Sequence, residues 1–156
     1  MRTDEINEKT VQLLLNRYGY YFYIIKRIPN TRCTCVDPTT KDPDLSCKKC
    51  LGLGTRVKIK KVFGVIRESR ERETSVAQNI SSTPKIVYID GLEYVNKDDV
   101  VIDSENVYNV LYIQYHRGGK GSQQFTRLVC PNRKSNTAKF AKNFKEVLHD
   151  HKLRKK

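Results

Sequence analysis

Apolar positions along this chain fall into two kinds of spacing. Near the N-terminus Ile6, Val11, Leu14 and Leu15 recur at helical intervals, which predicts a helix over residues 1–19. Thr3 can cap it, Asp4 and Glu5 sit against the positive end of its dipole, and Gly19 is its stop. The period then changes. Residues 20–25, Tyr-Tyr-Phe-Tyr-Ile-Ile, form an aromatic and β-branched run that predicts a strand, ended at Pro29-Asn30. Residues 56–60 alternate basic and apolar, as a strand with one wet face does, and residues 62–66 continue or follow it. Further strands are predicted over 85–89, 100–102, 107–115 and 125–129, with Asp90-Gly91 as a tight-turn signal. Residues 67–83 alternate in charge and then turn small and polar, which predicts a long exposed loop or a strand pair with a loose tip. Phe140, Phe144, Val147 and Leu148 share one face at i, i+4, i+7 and i+8. They predict a final helix within 135–156, capped by Asn136 or Thr137 and ending in the basic run 152–156. Strands at hairpin spacing between two helices give a mainly β (α+β) fold: one domain built on a small antiparallel barrel or sandwich, with its β core over 56–131.

One segment interrupts that pattern. Cys33-Thr34-Cys35 is followed, after eleven residues, by Cys47-Lys48-Lys49-Cys50-Leu51-Gly52-Leu53-Gly54. Two close cysteine pairs joined by a short loop can bring four thiolates to the corners of a tetrahedron, the arrangement a structural Zn²⁺ takes. Gly52 and Gly54 stand where a knuckle turns back on its own sulfurs. Residues 30–55 therefore read as a zinc-binding loop inserted in the β-domain, with Cys33, Cys35, Cys47 and Cys50 as ligands. Residues 37–44, rich in Asp, Pro and Thr, supply turn chemistry between the pairs. Disulfides are the competing reading, as is a site that no longer holds metal. The polar start Met1-Arg2-Thr3-Asp4-Glu5 lacks the apolar stretch of a secretory signal, so reduced thiols are expected. Four thiolates leave no coordination position open, so the expected role is to fix a loop, not to catalyse. Cys130 reads as a small core residue at a strand end.

Charge adds a second clue. The chain of 156 residues carries a formal net charge of +13, unevenly spread. Residues 21–72 hold thirteen basic and five acidic side chains, 73–115 two and seven, and 116–156 twelve and two. A basic excess of this size commonly meets a polyanion. The acidic middle implies a second, oppositely charged surface, which head-to-tail packing of identical copies in a ring would use. A merely solubilising surface is the plainer alternative. No stretch is long and apolar enough to span a bilayer, so no membrane partner is expected.

Catalytic patterns do not emerge. Residues 117–122, Arg-Gly-Gly-Lys-Gly-Ser, lack the spacing and strand-to-helix context of a phosphate-binding loop and read as a basic hairpin tip. Arg117 and Lys120 on that tip, with Arg127, Arg133 and Lys134, are candidate contacts to a nucleic-acid backbone. His149 and His151 read as surface residues, His116 as a residue that could contact phosphate, and Asp98, Asp99 and Asp103 as turn and edge charges. The chain is not read as an enzyme.

Residues 97–113 carry a resemblance. A hydrophobic strand ending in Asp103 turns and returns through Tyr108 and Val110, which resembles the core hairpin of tailed-bacteriophage head-completion proteins. The knuckle over 47–54, with its upstream Cys-x-Cys and Pro/Asp-rich loop, looks like a segment of some phage neck proteins and also matches a half-repeat of DnaJ-type zinc modules, whose other repeats are missing here. The likeness covers roughly 30–60 and 85–130, and the chain departs from the simplest head-closure proteins in its cysteines and basic tail. The resemblance implies a virion neck protein: a homo-oligomeric ring between portal and tail that closes the head, connects the tail and meets genomic DNA non-specifically. The alternative is a zinc-dependent nucleic-acid-binding protein, a regulator or ribosome-associated factor, whose Tyr-rich strand stacks single-stranded bases.

Overall fold

The computed structural model describes residues 8–68, 84–104, 106–119, 124–133 and 137–153. The chain runs α1 (Glu8–Tyr18), β1 (Tyr20–Arg27), β2 (Val57–Glu68), β3 (Lys85–Asp90), β4 (Val100–Asp103), β5 (Asn106–Asn109), β6 (Tyr112–His116), β7 (Phe125–Cys130) and α2 (Thr137–Leu153). All seven strands pair antiparallel in one sheet, in the order β5-β4-β1-β2-β3-β7-β6. The sheet curls into a half-barrel, so the fold is mainly β with a helix at each end of the chain, as the periodicities predict. The two ends of the sheet approach each other. The Asn109 amide donates to the Pro131 carbonyl at 3.1 Å and the Arg133 amide to the Val107 carbonyl at 2.9 Å, which occupies backbone groups that an open edge would expose.

The two-residue period of the strands sorts side chains onto two faces. Phe22, Ile24, Val62, Val87, Ile89, Val101, Leu128 and Cys130 meet in one buried cluster on the inner face. On the outer face, Val11 and Leu15 of α1 pack against Val65, Ile86, Tyr88, Phe125 and Val129. Farther along that face, Phe140, Ala141 and Phe144 of α2 cover Ile25, Val100, Ile102 and Val107, and Leu51 and Leu53 from the β1–β2 connection join them. Cys130 is fully buried at the end of β7, as the sequence predicts for a core thiol, and burial pushes its pKa far up.

Residues 56–60 and 62–66 belong to a single strand. β2 pairs with β1 through its first part and with β3 through its last, and Gly64 faces Tyr20 on one side and Ile89 on the other. A Cβ at Gly64 would stand 2.3 Å from the Tyr88 carbonyl oxygen and 3.0 Å from the Phe22 ring. Gly64→Ala is therefore expected to lower stability by about 2–3 kcal/mol. Urea unfolding followed by fluorescence checks this, with a lower midpoint at unchanged slope as the expected outcome.

Three expectations about the strands and helices need correction. The stretch 107–115 is not one strand. β5 pairs with β4 and β6 with β7, so the chain changes partners at Val110 and Leu111, whose amides turn to the carbonyls of Asp99 and Val129. Asp90-Gly91 is not a hairpin turn, because β4 pairs with β1, and residues 91–99 instead cross from β3 past β2 and β1. Thr137 does not cap α2; it lies within the helix, and its hydroxyl donates back to the Arg133 carbonyl at 2.9 Å. Thr3, Asp4, Glu5, Asn136 and the loop 69–83 lie outside the described residues, while Arg67 and Glu68 close β2.

Polar groups hold the 91–99 crossing. Glu93 forms ion pairs with Lys26 and, at 2.5 Å, with Lys60. Burial opposes its ionisation, and the two ammonium groups outweigh that and lower its pKa. Its amide donates to Thr126 Oγ1 at 2.8 Å, and that hydroxyl donates to the Gly91 carbonyl at 3.0 Å. Asp99 differs from the edge charge predicted for it: it is fully buried, accepting the Arg27 amide at 2.9 Å and the Asn96 amide at 2.8 Å. Asp98 is an exposed turn residue, and Asp103 accepts the Tyr20 hydroxyl at 2.9 Å. Among the described residues no helix is long and apolar enough to cross a membrane.

Candidate metal centre

The cysteines ride on an arm that leaves and re-enters the β1–β2 hairpin. Its foot is zipped: Arg27 pairs with Val57, the Ile28 amide donates to the Arg56 carbonyl at 2.9 Å, and Thr31 Oγ1 accepts the Arg56 amide at 3.0 Å. Higher up, the Cys33 amide donates to the Gly54 carbonyl at 2.9 Å, tying the two cysteine pairs together. The loop between them folds on itself as its composition predicts. Asp37 Oδ1 accepts the amides of Thr39 and Thr40 at 2.6 and 2.9 Å, and Val36 bridges Pro43. Beyond Cys50 the backbone turns left-handed at Leu51, Gly52 and Gly54, with φ of 56°, 78° and 76°. A Cβ on Gly52 would also press to 3.2 Å from the Leu45 Cα, so this turn needs glycine twice over.

These turns gather the four sulfurs. Cys33 Sγ lies 3.8 Å from Cys47 Sγ, Cys35 Sγ lies 3.4 Å from Cys50 Sγ, and all four lie within 4.8 Å of one another. A tetrahedral thiolate site with metal–sulfur bonds of about 2.3 Å has sulfur–sulfur edges of about 3.8 Å, so the cluster fits a single cation. The sulfurs are too far apart for disulfides, whose bond is about 2.05 Å. Backbone amides point inward: those of Cys35, Asp44 and Gly54 donate to the sulfurs of Cys33, Cys35 and Cys50 respectively. The Cys35 amide lowers the pKa of Cys33, whereas burial raises those of Cys35 and Cys50. Thiolates crowded this closely repel one another, and a divalent cation at their centre removes that repulsion. Cys33, Cys35, Cys47 and Cys50 would supply all four ligands, and the ion would pin the arm without an open position for a substrate.

The arm is docked, which its loop-like composition hides. Leu51 and Leu53 are buried against α2 and the outer sheet face. Asn143 of α2 donates from Nδ2 to the Leu45 carbonyl at 2.8 Å, and Lys48 pairs with Glu146 at 3.0 Å. Two apolar residues inside a glycine-rich turn, and an asparagine beside the apolar stripe of α2, are the sequence signals of this contact.

Neither a protein-family model nor a curated protein matches the chain.

Among the described residues, the candidate nucleic-acid contacts Arg117, Arg127 and Arg133 do not gather into one site. Arg117 is exposed beyond β6. Arg127 sits mid-strand in β7, half-buried and paired in register with Tyr88 and Gln114. Arg133 follows the opposite end of β7, with its guanidinium carbon 4.9 Å from the centre of the Phe140 ring. Its partial burial lowers its pKa. Arg117 and Arg133 thus stand beyond opposite ends of a six-residue strand, roughly 20 Å of chain. Lys120 and Lys134 lie outside the described residues. His116 stacks on Phe125 with ring centres 4.2 Å apart, and His149 is exposed near the end of α2.

Proposed function

We propose that this chain is a structural zinc protein of the neck of a tailed phage, assembling as a ring between portal and tail. The closed four-sulfur cluster carries the structural-metal part of this reading, which the competing reading shares: a site whose whole coordination shell comes from cysteine serves shape, not turnover, and zinc is a cation that tetrahedral sulfur suits. The hairpin of β4 and β5, on which the resemblance to head-completion proteins rests, supports the neck assignment. Exposed aromatics at edge strand β6 support assembly with other protein chains. Tyr94 and Tyr115 are exposed with their rings 5.9 Å apart, Tyr112 is exposed on the other face of the strand, and exposed tyrosines of this kind are favoured interface anchors.

The competing reading, a protein that stacks single-stranded bases on its Tyr-rich strand, loses most of its platform. Of the tyrosines of β1, Tyr20 is hydrogen-bonded to Asp103 and Tyr23 packs on Phe144 with ring centres 5.3 Å apart. Tyr21 alone of the three is exposed.

The test is to image the protein in its native particle and to follow it with purified portal by light scattering. The expected outcome is an annular oligomer seated on the portal. A protein that stays monomeric beside its portal and is missing from particles would remove the proposal.

A further inference from the structure

We propose that the metal-pinned arm and α2 together form one docking face for the backbone of duplex DNA, with Lys48, Lys49, Lys139 and Lys142 as its phosphate-contacting cations. The proposal deepens the neck reading by naming the surface that meets the genome, and rests on it for the choice of duplex DNA among polyanions.

The face follows from how the arm is held. The Asn143–Leu45 hydrogen bond and the Lys48–Glu146 ion pair fix the turn between Cys47 and Cys50 alongside α2. With Phe140 and Phe144 buried, helical geometry turns Lys139 and Lys142 outward, and Glu146, seven and four residues on, shares their side of the helix beside the arm. All four lysines are exposed. The acidic groups beside these lysines include Glu146, which pairs with Lys48, Asp150, whose charge acts on Lys48, and the exposed Asp44 of the turn leading to Cys47. Basic residues about ninety positions apart in sequence thus lie side by side, and only while the arm is folded.

The make-up of the face selects its occupant. Protein interfaces are poor in lysine and anchored by aromatic side chains and arginine. Apart from Leu45 and, at the foot of the arm, Ile28, the exposed large hydrophobics among the described residues belong to α1, β1, the 91–99 crossing and the segment running into β6. A lysine surface without aromatic anchors suits phosphate contact that carries no sequence information, because an ammonium meets a phosphate oxygen from many directions. Arg117, at the far end of β6, does not belong to this face. The metal touches no DNA in this arrangement, yet affinity depends on it through the position of Lys48 and Lys49.

The experiment measures anisotropy of a short, mixed-sequence, fluorescein-labelled DNA duplex with the metal-loaded full chain. Salt is varied over roughly 50 to 200 mM, and light scattering on the same samples reports oligomeric state. Metal content and circular dichroism establish that each variant is folded. Lys48→Gln with Lys49→Gln, and separately Lys139→Gln with Lys142→Gln, should each reduce the slope of log affinity against log salt by about 2. Chelating the metal should reproduce the loss of the first pair, and Arg117→Ala should leave the slope unchanged. Unchanged slopes in both double variants, or a loss that follows Arg117 instead, overturn the proposal. So does a loss of self-association with DNA binding intact, which would make the face a protein interface. The expected slopes in a protein that scatters as a monomer would uphold this face and remove the ring.

Discussion

Stripping the metal is expected to unfold the arm while the half-barrel stays folded. The foot of the arm and the sheet beneath it are held by backbone pairing that needs no ion. Above the foot, the four-sulfur cluster and the turn around Gly52 hold Leu51 and Leu53 on α2, with the Asn143–Leu45 hydrogen bond and the exposed Lys48–Glu146 pair as the lesser ties to the helix. Releasing those two side chains to water forfeits about 3–6 kcal/mol of burial, at 1.5–3 kcal/mol for each leucine. The loss should appear as a thermal midpoint many degrees lower after chelation and as new protease cleavage confined to residues 28–56. Cys50→Ser should behave as the metal-free protein does at any metal concentration, because its sulfur is fully buried and a serine hydroxyl is a poor ligand for a thiolate-selected cation. Cys130→Ala is the control. That thiol lies in the inner core, away from the cluster, so metal content should be unchanged even though stability falls. Cleavage spread evenly over the chain after chelation would mean that the metal supports the whole fold, contrary to this account.

Asp99→Ala should be the most damaging single substitution away from the cysteines. Asp99 joins the end of β1 to the 91–99 crossing by accepting two backbone amides. Removing the carboxylate leaves the amides of Arg27 and Asn96 without a partner in a buried place, at about 1–3 kcal/mol each. A total of about 2–6 kcal/mol is expected, measured as a shift in urea midpoint. The pH dependence has a definite sign. Burial raises the pKa of Asp99 above its ordinary value, and the accepted amides pull it down only in part. The folded protein therefore binds the Asp99 proton more tightly than the unfolded chain does. This contribution is fully present below the unfolded value of about 3.9 and is lost as pH rises through the folded value. The stability gap between wild type and Asp99→Ala should accordingly widen as pH falls from neutrality towards 4. A gap that narrows over that range would show that the amide bonds, not burial, govern this carboxylate.

Much of this was legible along the chain, and the gaps have physical causes. The cysteine spacing located the four-sulfur cluster because close pairs and the Gly-Leu-Gly turn are local features that fold in place. Helix and strand periods located α1, α2 and most strands for the same reason. Sheet order was not legible. A turn dipeptide such as Asp90-Gly91 reports only that the chain bends, whereas the partner of β4 is set far along the chain, where Val101 pairs with Ile24 of β1 and both join the inner cluster. The run 107–115 looked continuous because every residue suits a strand; only the change of partner at Val110 divides it. Asp99 looked like its exposed neighbour Asp98, since burial is decided by Arg27, distant in sequence, offering its amide. The docking of the arm was hidden in the same way, because Leu51, Leu53 and Asn143 acquire their meaning only when α2 is laid beside the knuckle.

The account stands on a cation held by Cys33, Cys35, Cys47 and Cys50, and zinc-edge X-ray absorption on the purified protein tests it most directly. The predicted spectrum is one zinc per chain with four sulfur neighbours at about 2.3 Å and no lighter ligand. A shell containing oxygen or nitrogen, or protein whose thiols are free of metal in the folded state, would contradict it.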